Sequence, residues 1–202
     1  MPNYKMKPLL REIWNLALPY QDKRSDEGHA ETVLNYAFEL LKTENSNEDV
    51  VIPAAILHDI GWSQVSEEER MAVFRDLDRS IDIKLRMRHQ ELGVILAKDI
   101  LVRVNYPQNL TDEVLEIISQ HDTRQGFLNE NDGIMRDADK LWRYSSNGFS
   151  ADLRRFKIDP HLLHRKKANE ITLPNYFYSI TAKRIAHREL EKRKSEIQTA
   201  MS

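Results

Sequence analysis

The chain of 202 residues contains no cysteine. That absence excludes disulfide frameworks, thiolate zinc sites and cysteine nucleophiles, and it is consistent with a reducing compartment. No hydrophobic run is long enough to cross a bilayer, since the longest, Val50 to Leu57, is short and contains Pro53. Residues 1–20 mix charged with apolar positions, so no signal-peptide core is expected. We therefore expect a soluble, cytoplasmic protein.

A strong charge of one sign is also missing. The chain has 30 basic and 32 acidic residues, which gives a formal net charge of -2. This balance argues against nucleic acid or a membrane surface as the partner. A chain of this length can bury about 70% of its unfolded surface without needing disulfides or metal to fold. We predict one domain over residues 1–202.

Glycine is scarce, with six residues, and the apolar residues recur at helical rather than alternating spacing. Asp26 is a candidate N-cap for the first clear stripe. Its apolar members are Ala30, Val33, Leu34, Ala37, Phe38, Leu40 and Leu41. Ser46 or Asn47 is predicted to cap a second helix that ends at Gly61 in a left-handed C-cap. The pattern predicts an all-α protein, a single helical bundle.

Further helix signals follow along the chain. Ser66 and Glu69 predict a capping box for a short helix that reaches Phe74. A long helix is predicted over about residues 79–105, and another over 111–121.

From residue 122 onward, the sequence predicts loops and breaks as well as helices. Residues 122–133 are polar and contain two glycines, so they predict a loop over the site. A helix is predicted over 134–144, followed by a turn-rich break at 145–150. Pro160 is predicted at the first position of a short helix, and a final helix over about 176–197.

Imidazole and carboxylate side chains recur at long intervals on the apolar faces of these predicted helices. They are His29, the adjacent pair His58 and Asp59, His89, His121 and Asp139. Their successive separations, from one histidine to the next and then to the last aspartate, are 29, 31, 32 and 18 residues. Gaps near 30 fit one ligand per helix and loop in a bundle. Burying these groups without partners would be unfavourable, so the pattern predicts a divalent metal site.

The ordered series His, His-Asp, His, His, Asp resembles the HD superfamily of metal-dependent phosphohydrolases. The resemblance covers about residues 24–145 and leaves 146–202 as a C-terminal helical extension. It implies that a first metal is bound by His29, His58, Asp59 and Asp139. It also implies that His89 and His121 hold a second metal, with Asp59 bridging. The expected cofactor is one or two divalent ions, of Mn, Fe, Mg, Co, Ni or Zn.

A bound metal of this kind lowers the pKa of water toward 7, so hydrolysis needs no serine or cysteine nucleophile. Asp59 or Asp139 could orient that water as well as ligate. Phosphate contacts should come from cations near the ligands. The candidates are Lys140, Arg143, Arg124 and Arg24. Asp59, Lys140 and Arg143 are the predicted catalytic residues, and Arg143 lies one turn after Asp139 on the same face.

The predicted function is a phosphohydrolase or phosphodiesterase that cleaves a nucleotide-like or other small phosphorylated substrate with metal-activated water. One alternative is a di-iron oxygenase, since some members of the superfamily hold two irons with the same six ligands. Another is a binding domain that keeps metal only for structure. Association of two copies is left open by Ile180, Ile185 and Ala186, which pack either on the same chain or against another copy.

Overall fold

The computed structural model describes residues 6–24, 26–72 and 80–200. Within these ranges the chain forms α-helices and two 3₁₀ segments and no β-strand, so the predicted all-α class is confirmed. The helices are α1 (Pro8–Ala17), α2 (His29–Leu40), α3 (Glu48–Leu57), α4 (Glu67–Ala72), α5 (Ser80–Arg103), α6 (Gln108–Ser119), α7 (Glu130–Trp142), α8 (Ser146–Phe156), α9 (Pro160–Thr172) and α10 (Ile180–Ala200). Among them, none combines the length and the apolar character needed to cross a membrane.

The centre of the bundle is α3, in which every residue from Val50 to Leu57 is buried. It packs against α1, α2, α6 and α7, and α6 in turn packs on α5. A helix surrounded on all sides is apolar all round, which explains why this run shows no amphipathic period. The helix thus carries its C-terminal residues into the middle of the molecule.

The C-terminal helices cover one side of this core. Helix α10 packs on α9 and α7, and α8 contacts α7. Ile185 and Ala186 are buried in the chain's own core, whereas Ile180 is 75% exposed. Two of the three apolar residues considered for self-association therefore already have partners within the chain.

Several helix starts follow their sequence signals. The Asn47 side chain accepts a hydrogen bond of 3.0 Å from the first turn of α3. Ser66 and Glu69 form the reciprocal capping box, with backbone-to-side-chain bonds of 3.2 and 3.3 Å. Asp159 caps α9 and Pro160 occupies its first position. The end of the predicted helix near Phe74 lies outside the described residues.

The predicted N-cap of α2 is wrong. The helix begins at His29, and the cap position is taken by Gly28 with a φ of 81°, a left-handed conformation that favours glycine. Asp22, which precedes the helix, takes over the capping role. Its carboxylate accepts hydrogen bonds from the backbone N–H groups of Gly28 and Ala30 at 2.8 and 3.0 Å. Asp26 instead accepts from the backbone before the helix.

The break predicted over 145–150 is also wrong. Ser145 is an N-cap whose hydroxyl accepts from the Gly148 N–H at 3.1 Å, and α8 begins at Ser146. Small polar residues are equally suited to a turn and to a capped first turn. Other bounds differ by a few residues, and α1 was not predicted. The predicted loop at 122–133 is shorter, since α7 starts at Glu130.

The role predicted for Gly61 is corrected by the structure. Helix α3 ends at Leu57, and Gly61 lies in the 3₁₀ segment Ile60–Gln64, without a positive φ. A Cβ at this position would lie 1.9 Å from the His89 carbonyl oxygen and 2.5 Å from the Gly93 nitrogen. Glycine is required here because the backbone touches α5. This contact places the turn after α3 beside His89.

The two glycines of this contact should respond differently to alanine. Gly61→Ala should destabilise the fold by about 1–3 kcal/mol, because the added methyl group forces the 3₁₀ segment away from α5. Gly93→Ala is the matched control: its Cβ would meet atoms only at 3.6–3.7 Å, and alanine favours the helix by up to about 1 kcal/mol. Urea denaturation followed by circular dichroism measures both. Equal stability of the two variants would contradict the contact.

Candidate metal centre

The six predicted ligands come from five separate parts of the bundle. They are His29 at the start of α2, His58 and Asp59 in the turn after α3, His89 in α5, His121 just after α6 and Asp139 in α7. The structure brings all six together, in two groups that share Asp59. Four of the six are buried histidines, and the two aspartates are partly exposed.

The first group surrounds one oxygen of Asp59. The Nε2 atoms of His29 and His58 are 3.2 Å apart. Asp59 Oδ2 lies 3.4 and 3.7 Å from them, and Asp139 Oδ1 lies 3.5 Å from each. Two imidazole nitrogens and two carboxylate oxygens therefore face one small volume.

The second group surrounds the other oxygen of the same carboxylate. The Nε2 atoms of His89 and His121 are 3.4 Å apart, and Asp59 Oδ1 lies 3.5 and 3.3 Å from them. The two oxygens of Asp59 thus face two different pairs of histidines. This is the arrangement that a carboxylate needs in order to bridge two ions.

Backbone carbonyls set the tautomers of two of these histidines. The Nδ1–H of His58 donates to the Ala55 carbonyl, and that of His121 donates to the Ile118 carbonyl, both at 2.9 Å. Since a carbonyl only accepts, Nδ1 carries the proton, and in the neutral ring Nε2 keeps its lone pair. Each histidine bonds back to the last turn of the helix that precedes it. The two Nε2 atoms therefore face Asp59, and each offers a lone pair to a metal when its ring is neutral.

Tryptophan rings hold the other two histidines. Trp62 stacks on His89, with ring centroids 4.0 Å apart and planes at 12°, and the Arg24 guanidinium lies 4.3 Å from the centre of the Trp62 ring. Trp142 contacts His29 edge to face at 5.2 Å. These ring contacts restrict the orientations of the two imidazoles.

The electrostatics of the site keep its carboxylates ionised. Burial raises the pKa of Asp59, but the charge of His58 and hydrogen bonds with the other histidines hold it well below 3.8. Burial also raises the pKa of Asp139, but the hydrogen bond with His58 and the charge of His58 outweigh this effect and lower the pKa. Burial lowers the pKa of His58, yet the charge of Asp59 and the hydrogen bond with Asp139 raise it to about 10. Positive charge at this point is strongly favoured.

These residues fit a divalent metal. Metal–nitrogen and metal–oxygen bonds of about 2.0–2.2 Å place neighbouring donors about 3–3.5 Å apart, close to the 3.2–3.7 Å found within each group. The imidazole and carboxylate set suits first-row metals. The Asp59 and Asp139 side chains are 21% and 27% exposed, so the ligands are reachable from solvent.

The predicted phosphate contacts divide into two sets. Arg143 and Arg24 line the narrow cavity that opens onto the predicted ligands His29, Asp59 and Asp139. Lys140 does not reach it, because its ammonium donates to the Tyr176 carbonyl. Adjacent side chains on a helix point about 100° apart. Lys140 directly follows Asp139, so its side chain points away from the cavity. Arg124 is also outside, paired on the surface of α6.

Sequence reasoning missed four residues of this cavity: Asp26, Arg86, Asp122 and Arg155. Asp122 Oδ2 lies 3.7 Å from the Nε2 of His89, and Arg86 Nη1 lies 3.0 Å from Asp122 Oδ1. A signal for Asp122 was present, since it follows His121 as Asp59 follows His58. Arg86 lies one turn before His89 on α5.

Comparison with protein families identifies the family to which this fold belongs. The HD domain family matches residues 27–143, more than half of the chain and a range that contains all six predicted ligands. The chain belongs to the HD domain family, which is all-α and consists in general of metal-dependent hydrolases. Comparisons with curated proteins and with solved structures give no match. Helices α8 to α10 follow the matched range.

Substitutions should separate the two ligand groups. Asp59→Ala removes an oxygen from both, so we expect it to abolish tight metal binding. His121→Ala leaves the first group intact and should reduce the content from about two ions per chain to about one. His187→Ala, at an exposed histidine of α10, is the control. Elemental analysis after gel filtration measures the ratio. Unchanged metal content in Asp59→Ala would contradict the assignment.

Proposed function

We propose that this chain is a metal-dependent phosphohydrolase or phosphodiesterase that acts on a nucleotide-like or other small phosphorylated molecule. The observation that carries the proposal is the cavity beside the metal ligands. Among the residues that the structure describes, its lining includes four arginines, Arg24, Arg86, Arg143 and Arg155. The guanidinium group presents a planar fork of donors that matches phosphate oxygens.

The charge of the cavity also supports an anionic substrate. In the described part of the chain, four aspartates line the cavity together with those four arginines, and they are Asp26, Asp59, Asp122 and Asp139. Their formal charges cancel. Two divalent ions would then leave about four positive charges. That surplus attracts a phosphate group and disfavours neutral or cationic substrates.

Bound metal would supply water with a pKa near 7 and stabilise charge that develops on the phosphoryl oxygens. The protein's own contribution is to orient the reactants. Burial raises the pKa of Asp122, but the charge of Arg86 outweighs this and lowers it, so the carboxylate is ionised. Asp122 can therefore accept a hydrogen bond from the attacking water, while Arg143 binds phosphate oxygens across the cavity.

The arginine lining also bears on the alternatives. The ligand set is compatible with a di-iron oxygenase, and the arginines would also suit an oxygenase with an anionic substrate, but the family consists in general of hydrolases. A site kept only for structure gives no reason for partly exposed aspartates at a cavity. Phosphate chemistry accounts for both features.

Turnover assays test the proposal. We expect the protein, supplied in turn with Mn, Mg, Co, Ni and Fe, to release product from at least one member of a panel of nucleotides, cyclic nucleotides and diphosphates. Chelation should abolish the activity and added metal should restore it. Inactivity with every metal would contradict the proposal. Oxygen consumption that depends on Fe(II), without phosphate release, would favour the oxygenase.

The role given to Asp122 has a separate test. Asp122→Asn should lower kcat by about 10- to 100-fold, because the amide orients water less well than the carboxylate, while metal content stays unchanged. Asp112→Asn, at an exposed carboxylate on α6, is the control. Steady-state kinetics with elemental analysis of the same samples measures both. Loss of metal in Asp122→Asn would instead make this residue a ligand.

A further inference from the structure

Three residues that line the cavity, Arg24, Asp26 and Arg155, lie outside the range matched by the family, and Arg155 is the one that follows it. Arg155 lies near the end of α8, beyond residues 27–143, yet it lines the cavity together with Arg143. Its side chain is only 8% exposed. A long cation held almost entirely inside the protein and aimed at a metal site points to a ligand there.

A buried carboxylate holds the two arginines in place. Asp152, one turn before Arg155 on α8, is 1% exposed. Its Oδ1 lies 3.7 Å from Arg155 and its Oδ2 lies 3.4 Å from Arg143, while Lys167 of α9 lies 3.4 Å from Oδ2. Three cations thus surround one carboxylate. Lys167 also pairs with Glu170 at 3.1 Å. The shared carboxylate of Asp152 therefore holds the two guanidinium groups near each other.

A second contact ties Arg155 to the opposite wall. Its Nη2 donates to the Arg24 carbonyl at 2.8 Å and lies 3.9 Å from Asp26 Oδ2. Burial lowers the pKa of Arg155, and the charges of Arg24 and Arg143 lower it further, although Asp26 and Asp152 oppose them. Arginine side chains on three segments therefore repel one another across the cavity. An anion between them would relieve that repulsion.

We propose that Arg155 and Arg143 form a phosphate-binding subsite, anchored by Asp152, and that Arg155 determines which substrates bind. The inference rests on the phosphate chemistry proposed above and specifies its substrate class. Two guanidinium groups in the lining of one narrow cavity favour a terminal phosphate, which is a dianion, over a diester, which is a monoanion. A terminal phosphate also keeps three unesterified oxygens that accept hydrogen bonds, whereas a diester keeps two.

Binding of inorganic phosphate tests the subsite directly. In titration calorimetry with the manganese-loaded protein, Arg155→Gln should weaken phosphate binding by about 10- to 100-fold, the effect of losing charge-assisted hydrogen bonds. Arg154→Gln, at the exposed neighbour on α8, removes the same charge and should leave binding unchanged. Elemental analysis should give equal manganese in all three proteins. Dimethyl phosphate, a diester monoanion, should bind the wild type at least about tenfold more weakly than phosphate.

The outcomes separate the inference from the function on which it rests. Equal phosphate affinity in Arg155→Gln and the wild type would overturn the subsite and leave the phosphohydrolase proposal standing. Equal affinity of the wild type for phosphate and dimethyl phosphate would overturn the preference for a terminal phosphate. A manganese-loaded wild type that binds neither anion would contradict both proposals. If Arg155→Gln fails to fold, Arg155→Lys keeps the charge without the fork, and binding as tight as wild type would overturn the subsite.

Discussion

The carboxylate of Asp59 is the constraint on which the arrangement of this site depends. Its two oxygens face two different pairs of histidines at 3.3–3.7 Å. That position requires the chain to leave α3 at the centre of the bundle, directly after the buried run from Val50 to Leu57. It also requires the backbone contact at Gly61, where no side chain fits. The core of α3 and the glycine contact are therefore the means by which distant imidazoles come to share one carboxylate.

In the described part of the chain, the cavity outside the candidate ligands carries four arginines and two further aspartates, so this second layer is cationic. The ligand carboxylates would offset part of the charge of a bound metal, and the guanidinium groups would add to the attraction for anions. Part of this second layer is supplied by α8, through the ion pairs of Asp152 with Arg143 and Arg155. The family-matched bundle supplies the proposed ligands, and the helix that follows it helps to shape the cavity. This division suggests how one metal-binding core accommodates different substrates.

The sequence predicted best the features that rest on local patterns. The buried histidines were predicted because polar groups on apolar helical stripes need partners. The caps at Asn47 and Asp159 were predicted because capping is a local interaction. Arg155 was missed, since its place in the cavity depends on how α8 packs. Lys140 was predicted in the site because it directly follows Asp139, but neighbouring side chains on a helix point in different directions. The role of Gly61 follows from a contact with α5 that no local pattern contains.

Anomalous diffraction from crystals of the manganese-loaded protein tests the central position of Asp59 most directly. We expect two anomalous peaks about 3.5–4 Å apart, one beside His29 and His58 and the other beside His89 and His121, with an oxygen of Asp59 bonded to each. Peaks located elsewhere, or an Asp59 carboxylate bonded to neither ion, would contradict this expectation.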